Sequence, residues 1–139
     1  MHFPFLSSDR IRPKHLILGA LGEDLATAYV RSLGYTVRQR NVRQGKDEID
    51  IIAWDPDDQV LVFIEVKTRT EQTRKGFHPD KTAAEDKRIK LRRAVRRWVA
   101  EHDFDGGYRI DLICVQAGKI TNHFKELNWD LPPRSVSWP

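Results

Sequence analysis

The sequence predicts a mixed α/β domain with element order α-β-β-β-α-β-β: a β-sheet flanked by helices. Three observations carry this. Two long stretches have helical spacing, 15–33 and another from near Asp80 to about His102. Three strand-like runs lie between them and two follow, each pair set off by turn residues. No internal repeat or low-complexity linker interrupts the order, so 1–139 reads as one domain with its core at about 15–127.

Each element has a local reason. Residues 1–13 read as an irregular arm. In HLILGALGEDLATAYVRSL, Leu18, Leu21, Leu25, Ala28, Tyr29 and Ser32 follow helical spacing, and Gly34 is placed to end the helix. Tyr35 to Arg43 reads as a strand. Residues 48–54 and 59–69 read as two more, joined by the turn-forming DPDD. Thr82 and Glu85 have capping-box spacing at the start of the second helix, and Gly106-Gly107 follows its end. Strands 108–115 and 119–126 meet at Ala117-Gly118, and Pro132, Pro133 and Pro139 break regular structure beyond them.

Composition narrows the function classes. With 40% hydrophobic and 32% charged residues the chain is globular rather than disordered. The net charge of +4 points to an anionic partner only where basic residues cluster. The single Cys114 excludes an intrachain disulfide and reads as a small core residue of YRIDLICV. No apolar run approaches the roughly 20 residues that cross a bilayer, and the N-terminus lacks the pattern of a secretion signal. The expectation is a cytoplasmic protein with no membrane partner. The five His residues lack zinc-type spacing, and there is no Gly-rich phosphate loop or Gly-x-Ser-x-Gly motif.

The charge-bearing chemistry lies in DEIDIIAWDPDDQVLVFIEVKTRT, residues 47–70. Alternation along a strand puts Glu65 and Lys67 on one face and Ile64 and Val66 on the other. It groups Glu48, Asp50 and Ile52 opposite Ile49 and Ile51. A two-residue turn at Asp57-Asp58 sets Asp50 directly across from Glu65. Opposed carboxylates repel, and among apolar neighbours that repulsion is poorly screened. An ion pair in which Lys67 bridges both is the competing reading, but one ammonium serves two carboxylates poorly. A hard divalent cation, Mg²⁺ or Mn²⁺, resolves the conflict, since Mg²⁺ keeps several waters and needs only one or two protein carboxylates. Lys67 would then stand beside a water carried by the cation, near a phosphate under attack.

The second helix contains KRIKLRRAVRR, with seven basic residues in eleven and no acid. Leu91, Val95 and Trp98 form its buried stripe, leaving Arg92, Arg93, Arg96 and Arg97 outside, and such a face fits a phosphate backbone. A solvated face is the plainer alternative. Lys87 falls at the edge of the apolar stripe, toward the candidate site. Asp111 in RIDLI is expected to make a structural salt bridge with Arg109. Trp129 and Trp138 could pack the tail or serve a partner.

Asp50 followed by Glu65-Val66-Lys67 resembles the PD-(D/E)xK, or restriction-endonuclease-like, nuclease superfamily. More narrowly, GxxGExxAxxYxxxxGY from Gly19 to Tyr35, Arg40-Asn41, EIDIIA and VFIEVKTR resemble the YraN family of endonuclease-like bacterial proteins. The likeness spans roughly residues 16–126, with a looser similarity to archaeal Holliday-junction resolvases. It implies that Asp50 and Glu65 bind metal, that Lys67 is catalytic, and that Glu23 of the first helix joins the acidic site. By helical spacing alone Glu23 lies at the border of the apolar stripe and reads as an ordinary solvated residue; only the resemblance assigns it to the site. Asp47 departs from the family pattern, which usually has Gly there.

The combined expectation is a Mg²⁺- or Mn²⁺-dependent endonuclease that hydrolyses DNA phosphodiester bonds, branched or structured DNA included. A homodimer is compatible with it. The alternative is a nucleic-acid-binding module with the same fold and little or no catalysis.

Overall fold

At the end of the first helix Gly34 takes φ +92°, a left-handed conformation that costs glycine little. The computed structural model describes residues 14–69 and 81–125, with side chains over 18–69 and 88–125. The elements are α1 (Lys14–Ser32), β1 (Thr36–Gln44), β2 (Asp47–Asp55), β3 (Val60–Arg69), α2 (Lys81–Glu101), β4 (Tyr108–Gln116) and β5 (Lys119–Phe124). The predicted order holds, with boundaries shifted by one or two residues. The expected arm and the Pro- and Trp-containing tail lie outside the described residues, as do the side chains of Thr82, Glu85 and Lys87.

The strands form one sheet in sequence order, β1-β2-β3-β4-β5. Hairpin-connected neighbours are antiparallel, whereas β3 and β4 are parallel, the direction a crossover through α2 requires. Among the described residues, each face carries one helix. Ala26 and Val30 of α1 pack on Ile51, Ala53, Val62, Ile64, Ile113 and Val115. Leu91, Ala94, Val95 and Trp98 of α2 pack on Ile49, Ile52, Leu61, Phe63 and Ile110.

Helix α1 buries a face other than the predicted leucine stripe. Leu21 is 53% exposed and Leu25 is 36% exposed, while Gly22, Ala26 and Val30 meet the sheet. The reason is close approach. A Cβ on Gly22 would collide with the Thr68 side chain, so a larger residue there would have to displace Thr68 or the helix.

The β2–β3 connection also differs from expectation. Asp55 pairs with Val60, leaving four residues, 56–59, in the loop rather than two. Asp55 Oδ1 accepts hydrogen bonds from the N–H groups of Asp57 (2.9 Å) and Asp58 (3.4 Å). The extra residues are added symmetrically, one to each side. The register is therefore unchanged: Ile51 pairs with Ile64, and Asp50 comes next to Glu65.

A second departure matters more for the site. Asn41 takes φ +52° between the pairs Arg40–Ile51 and Val42–Ile49. Ile51 belongs to the α1-side cluster and Arg40 reaches Asp24 of α1 at 2.8 Å, whereas Ile49 and Val42 pack on the α2 side. The alternation of both strands thus reverses at Asn41 and Asp50, which corrects the expectation that Ile49 and Ile51 share a face. Asn is among the few L-residues that occupy this conformation readily.

Beneath α1, Arg109 is a hub of buried polar contacts. It donates to Asp111 Oδ1 (3.0 Å), as the sequence predicted, and also to Asp55 (2.9 Å), Asp58 (3.0 Å) and the Tyr35 hydroxyl (2.7 Å). His123 Nε2 lies 2.8 Å from Asp111 Oδ2, and its Nδ1 lies 3.0 Å from the Tyr29 hydroxyl. Burial alone would raise the pKa of Asp55, but hydrogen bonds from Arg109 and the loop N–H groups hold it below the usual carboxylate range.

Candidate active site

Where β2 and β3 stop pairing, the sheet opens into a cleft of about 350 Å³ between the two helices. The reversal at Asn41 turns Glu48 away from α2 and leaves Asp50 at the switch point, aimed across at β3. Glu23 enters from α1, one residue after the close contact at Gly22. Glu65 enters from β3. With Asp47, five carboxylates thus line one cleft, together with the ammonium groups of Lys46 and Lys90.

The acidic groups perturb one another. Asp50 Oδ2 accepts a hydrogen bond of 2.8 Å from the Val66 N–H, which favours its ionised form. Burial and the neighbouring charge of Glu65 outweigh that bond and push the Asp50 carboxyl up to about 8. A hydrogen bond between the Asp50 and Glu65 carboxyls acts in the same direction. Glu23 is also raised, first by burial and then by Glu48, against the lowering charge of Arg40. Such clustered carboxyls store unfavourable charge that a cation relieves.

The donor set fits a hard divalent ion in chemistry: every ligating atom is a carboxylate oxygen. Among the described residues no group of three or more His, Cys, Asp or Glu side chains converges closely enough to form a metal cage. Asp50 and Glu65 are the pair that meets, with Glu23 acting on them through its charge.

The remaining predicted residues divide. Lys67 follows Glu65 by two positions on β3 and is half-buried, but it does not line the cleft; its charge is felt at the buried Cys114, whose thiol burial pushes up to about 11. On α2, Leu91, Val95 and Trp98 are buried as predicted. Arg96 and Arg97 are exposed and Arg92 is half-buried. Arg93 makes a two-pronged salt bridge to the buried Asp47, Nε–Oδ2 2.9 Å and Nη2–Oδ1 3.0 Å. Arg97 Nη1 donates to the Gln44 carbonyl at 3.1 Å. Two members of the basic face therefore also fasten α2 to the β1–β2 hairpin. Asp47, the departure from the family pattern, supplies one of those anchors.

Sequence reasoning missed Lys46, Glu48 and Lys90 as cleft residues. Each looks solvated by its own neighbours. The available signal was the nearness in sequence of Lys46 and Glu48 to Asp50, at the start of β2.

Comparison with known proteins sets this geometry in a family. The model of the uncharacterised protein family UPF0102 matches residues 22–115, a span that contains Glu23, Asp50, Glu65 and Lys67. A UPF0102 protein of Oleidesulfovibrio alaskensis is 41% identical over 104 residues, covering 74% of this chain and 50% of that protein. One from Mycobacterium sp. strain KMS is 43% identical over 103 residues, covering 73% and 75%. A third, from Campylobacter fetus, is 33% identical over 107 residues, covering 77% and 90%. The chain thus spans half the length of the first relative and most of the other two. With more than half of its residues inside the family match, the chain belongs to the uncharacterised protein family UPF0102.

Proposed function

We propose that this chain is a metal-dependent nuclease of the PD-(D/E)xK kind, hydrolysing DNA phosphodiester bonds. The observation that carries the reading is the Asp50–Glu65 pair, two carboxyls held together in a cleft where their charges conflict. Asp50 and Glu65 would hold Mg²⁺ or Mn²⁺, with Glu23 beside them; the bound ion would supply positive charge to the phosphate and a more acidic water. The backbone N–H of Val66 fixes the Asp50 carboxylate in place. Lys90 and Lys46 bring positive charge to the cleft, where it offsets a phosphate entering among carboxylates. Lys67, on a flexible stem two residues beyond Glu65, is the candidate to stabilise charge on the phosphate under attack. Exposed Arg96 and Arg97 extend the positive surface along α2 for the backbone on either side.

A second reading, a binding module with little or no catalysis, is favoured by one observation: Lys67 does not line the cleft. A cleavage assay separates the two. Single-stranded, duplex, flap and four-way DNA are incubated with Mg²⁺ or Mn²⁺ and with chelator. Cleavage that chelator abolishes and Asp50→Asn removes supports the nuclease. No metal-dependent cleavage of any substrate by the wild type, with binding intact, leaves the binding module.

A further inference from the structure

On the α2 side of the sheet, past the acidic cleft along β2, lies a second cavity of about 330 Å³. Three aromatic rings line it, Trp54 from β2, Trp98 from α2 and Phe104 just after α2, together with the aliphatic Ile52 and Leu61 and with Arg38 and Gln39 of β1. These side chains are held, not merely adjacent. Trp98 Nε1 donates to Gln39 Oε1 at 3.2 Å. The Trp98 ring stacks on His102 at 4.0 Å and 14°, and Phe104 lies 6.4 Å from it. Trp54 is half-buried and presents the rest of its ring toward solvent.

Arg38 is placed by an irregularity. The β1–β2 register slips between Val37 and Gln39, making Arg38 the extra residue of a bulge, a device that re-aims a side chain. The guanidinium carbon stands 5.9 Å from the Trp54 ring centre, although Arg38 itself is exposed. A flat aromatic wall with a cation over its mouth is the chemistry that takes a planar, electron-rich ring attached to an anion.

We propose that this cavity receives an unstacked nucleobase of a single strand, with Trp54 as the stacking platform and Arg38 on the base or its phosphate. The inference rests on the nucleic-acid reading above and specifies its substrate class as DNA with an unpaired stretch. Position supports it. Trp54 lies four residues from Asp50 along β2, about 13 Å at the strand rise. Leu91 at the cleft and Trp98 at the cavity are seven residues apart on α2, about 10 Å. Those spans correspond to roughly three or four nucleotides at the stacked rise of about 3.4 Å. Arg97 lies on the α2 stretch between the two, exposed and anchored to the hairpin carbonyl of Gln44. A duplex keeps its bases inside and offers the cavity nothing, whereas a frayed, looped or branched strand can insert one.

The test uses the full chain under chelator, so that no strand is cut. Binding of a short labelled single strand is followed by anisotropy while one abasic position is moved along it. Wild type should show one position at which loss of the base weakens binding about ten-fold, the order of one base–aromatic stack. Trp54→Ala should flatten that profile with duplex affinity unchanged, and Trp54→Phe should restore it. If Trp54→Ala fails to fold, Arg38→Gln carries the test, because an exposed side chain can be replaced without opening the core. A flat profile in the wild type with binding intact overturns the assignment and leaves the cavity to another occupant, such as the chain's own Trp129 or Trp138. A position-dependent profile that survives both Trp54→Ala and Arg38→Gln overturns it too. Absence of any binding, single-stranded or duplex, removes the nucleic-acid reading itself and this inference with it.

Discussion

Asp50 and Glu65 face each other at the point where β2 and β3 separate, and burial together with the Glu65 charge pushes the Asp50 carboxyl up to about 8. Two consequences follow from that pairing, one in stability and one in chemistry.

The first concerns pH. The folded Asp50 carboxyl is raised to about 8 from an ordinary value of 3.8. The folded state therefore binds more protons than the unfolded state between those limits, and stability falls as pH rises through that window. The contribution is fully present below the unfolded pKa and gone above the folded one. Denaturant unfolding in chelator at pH 5 and pH 8 should show the wild type losing stability across the interval and Asp50→Asn losing much less. Equal losses in both proteins would place the pH dependence elsewhere.

The second concerns Lys67. If its ammonium stabilises the reacting phosphate, Lys67→Met stays folded and binds DNA, but cleaves about 10²–10³-fold more slowly. Lys90→Met, at the exposed rim of the cleft, should weaken binding more than it slows cleavage. Rates measured at saturating DNA and affinities measured in chelator distinguish the two. A rate loss confined to Lys90→Met would transfer the catalytic role to Lys90.

Arg96 and Arg93 should respond differently to the same change. Arg96→Gln removes an exposed charge, so the log–log salt slope of duplex binding should fall by about 0.9 with the melting temperature unchanged. Arg93→Gln strands the buried Asp47 carboxylate and should lower the melting temperature. An unchanged slope in Arg96→Gln places the backbone elsewhere on the molecule.

Asn41 should tolerate Gly and reject branched side chains. Gly occupies φ +52° freely, so Asn41→Gly should stay within about 1 kcal/mol of wild type. Asn41→Val should cost about 2 kcal/mol or more, the order of the left-handed penalty for an L-residue. It should also reduce the metal-induced rise in melting temperature, because the reversal aims Asp50. Unfolding free energies and thermal shifts of both variants check this.

Asp111 tests the buried polar hub. It is fully buried and shared by Arg109 and His123. Asp111→Ala removes one of the buried partners of Arg109 and the partner of His123 Nε2, and should destabilise by about 1–3 kcal/mol, since Asp55 still pairs with Arg109. DNA affinity per folded molecule should not change, since the hub lies away from the acidic cleft. A loss of affinity without a loss of stability would assign Asp111 a role in binding.

Much of this was legible in the residues themselves. Strand alternation, the DPDD turn and the helical stripe of α2 are local patterns, and local patterns predicted the element order and the pairing of Asp50 with Glu65. What escaped depends on fit between distant parts. Leu21 and Leu25 suggest the inner face of α1 by spacing, yet Gly22 and Ala26 win because small residues let the helix sit against Thr68. The reversal at Asn41 and the bulge at Arg38 are single-residue backbone events; Asn permits a left-handed residue without requiring one, and nothing in the Arg38 side chain announces a bulge. Lys46, Glu48 and Lys90 look like ordinary solvated charges until two strands and a helix bring them to one opening.

Among the described residues, β1 is an edge strand of the sheet, and the edge of a sheet is an invitation to any extended chain that passes. Here it carries exposed Arg38, Arg40 and Arg43, with a bulge at one end and a left-handed residue in the middle. Two such margins meeting would press like charges together along bent backbones that cannot zip. The charge and the bent backbone of β1 therefore disfavour edge-to-edge pairing of two copies through this strand.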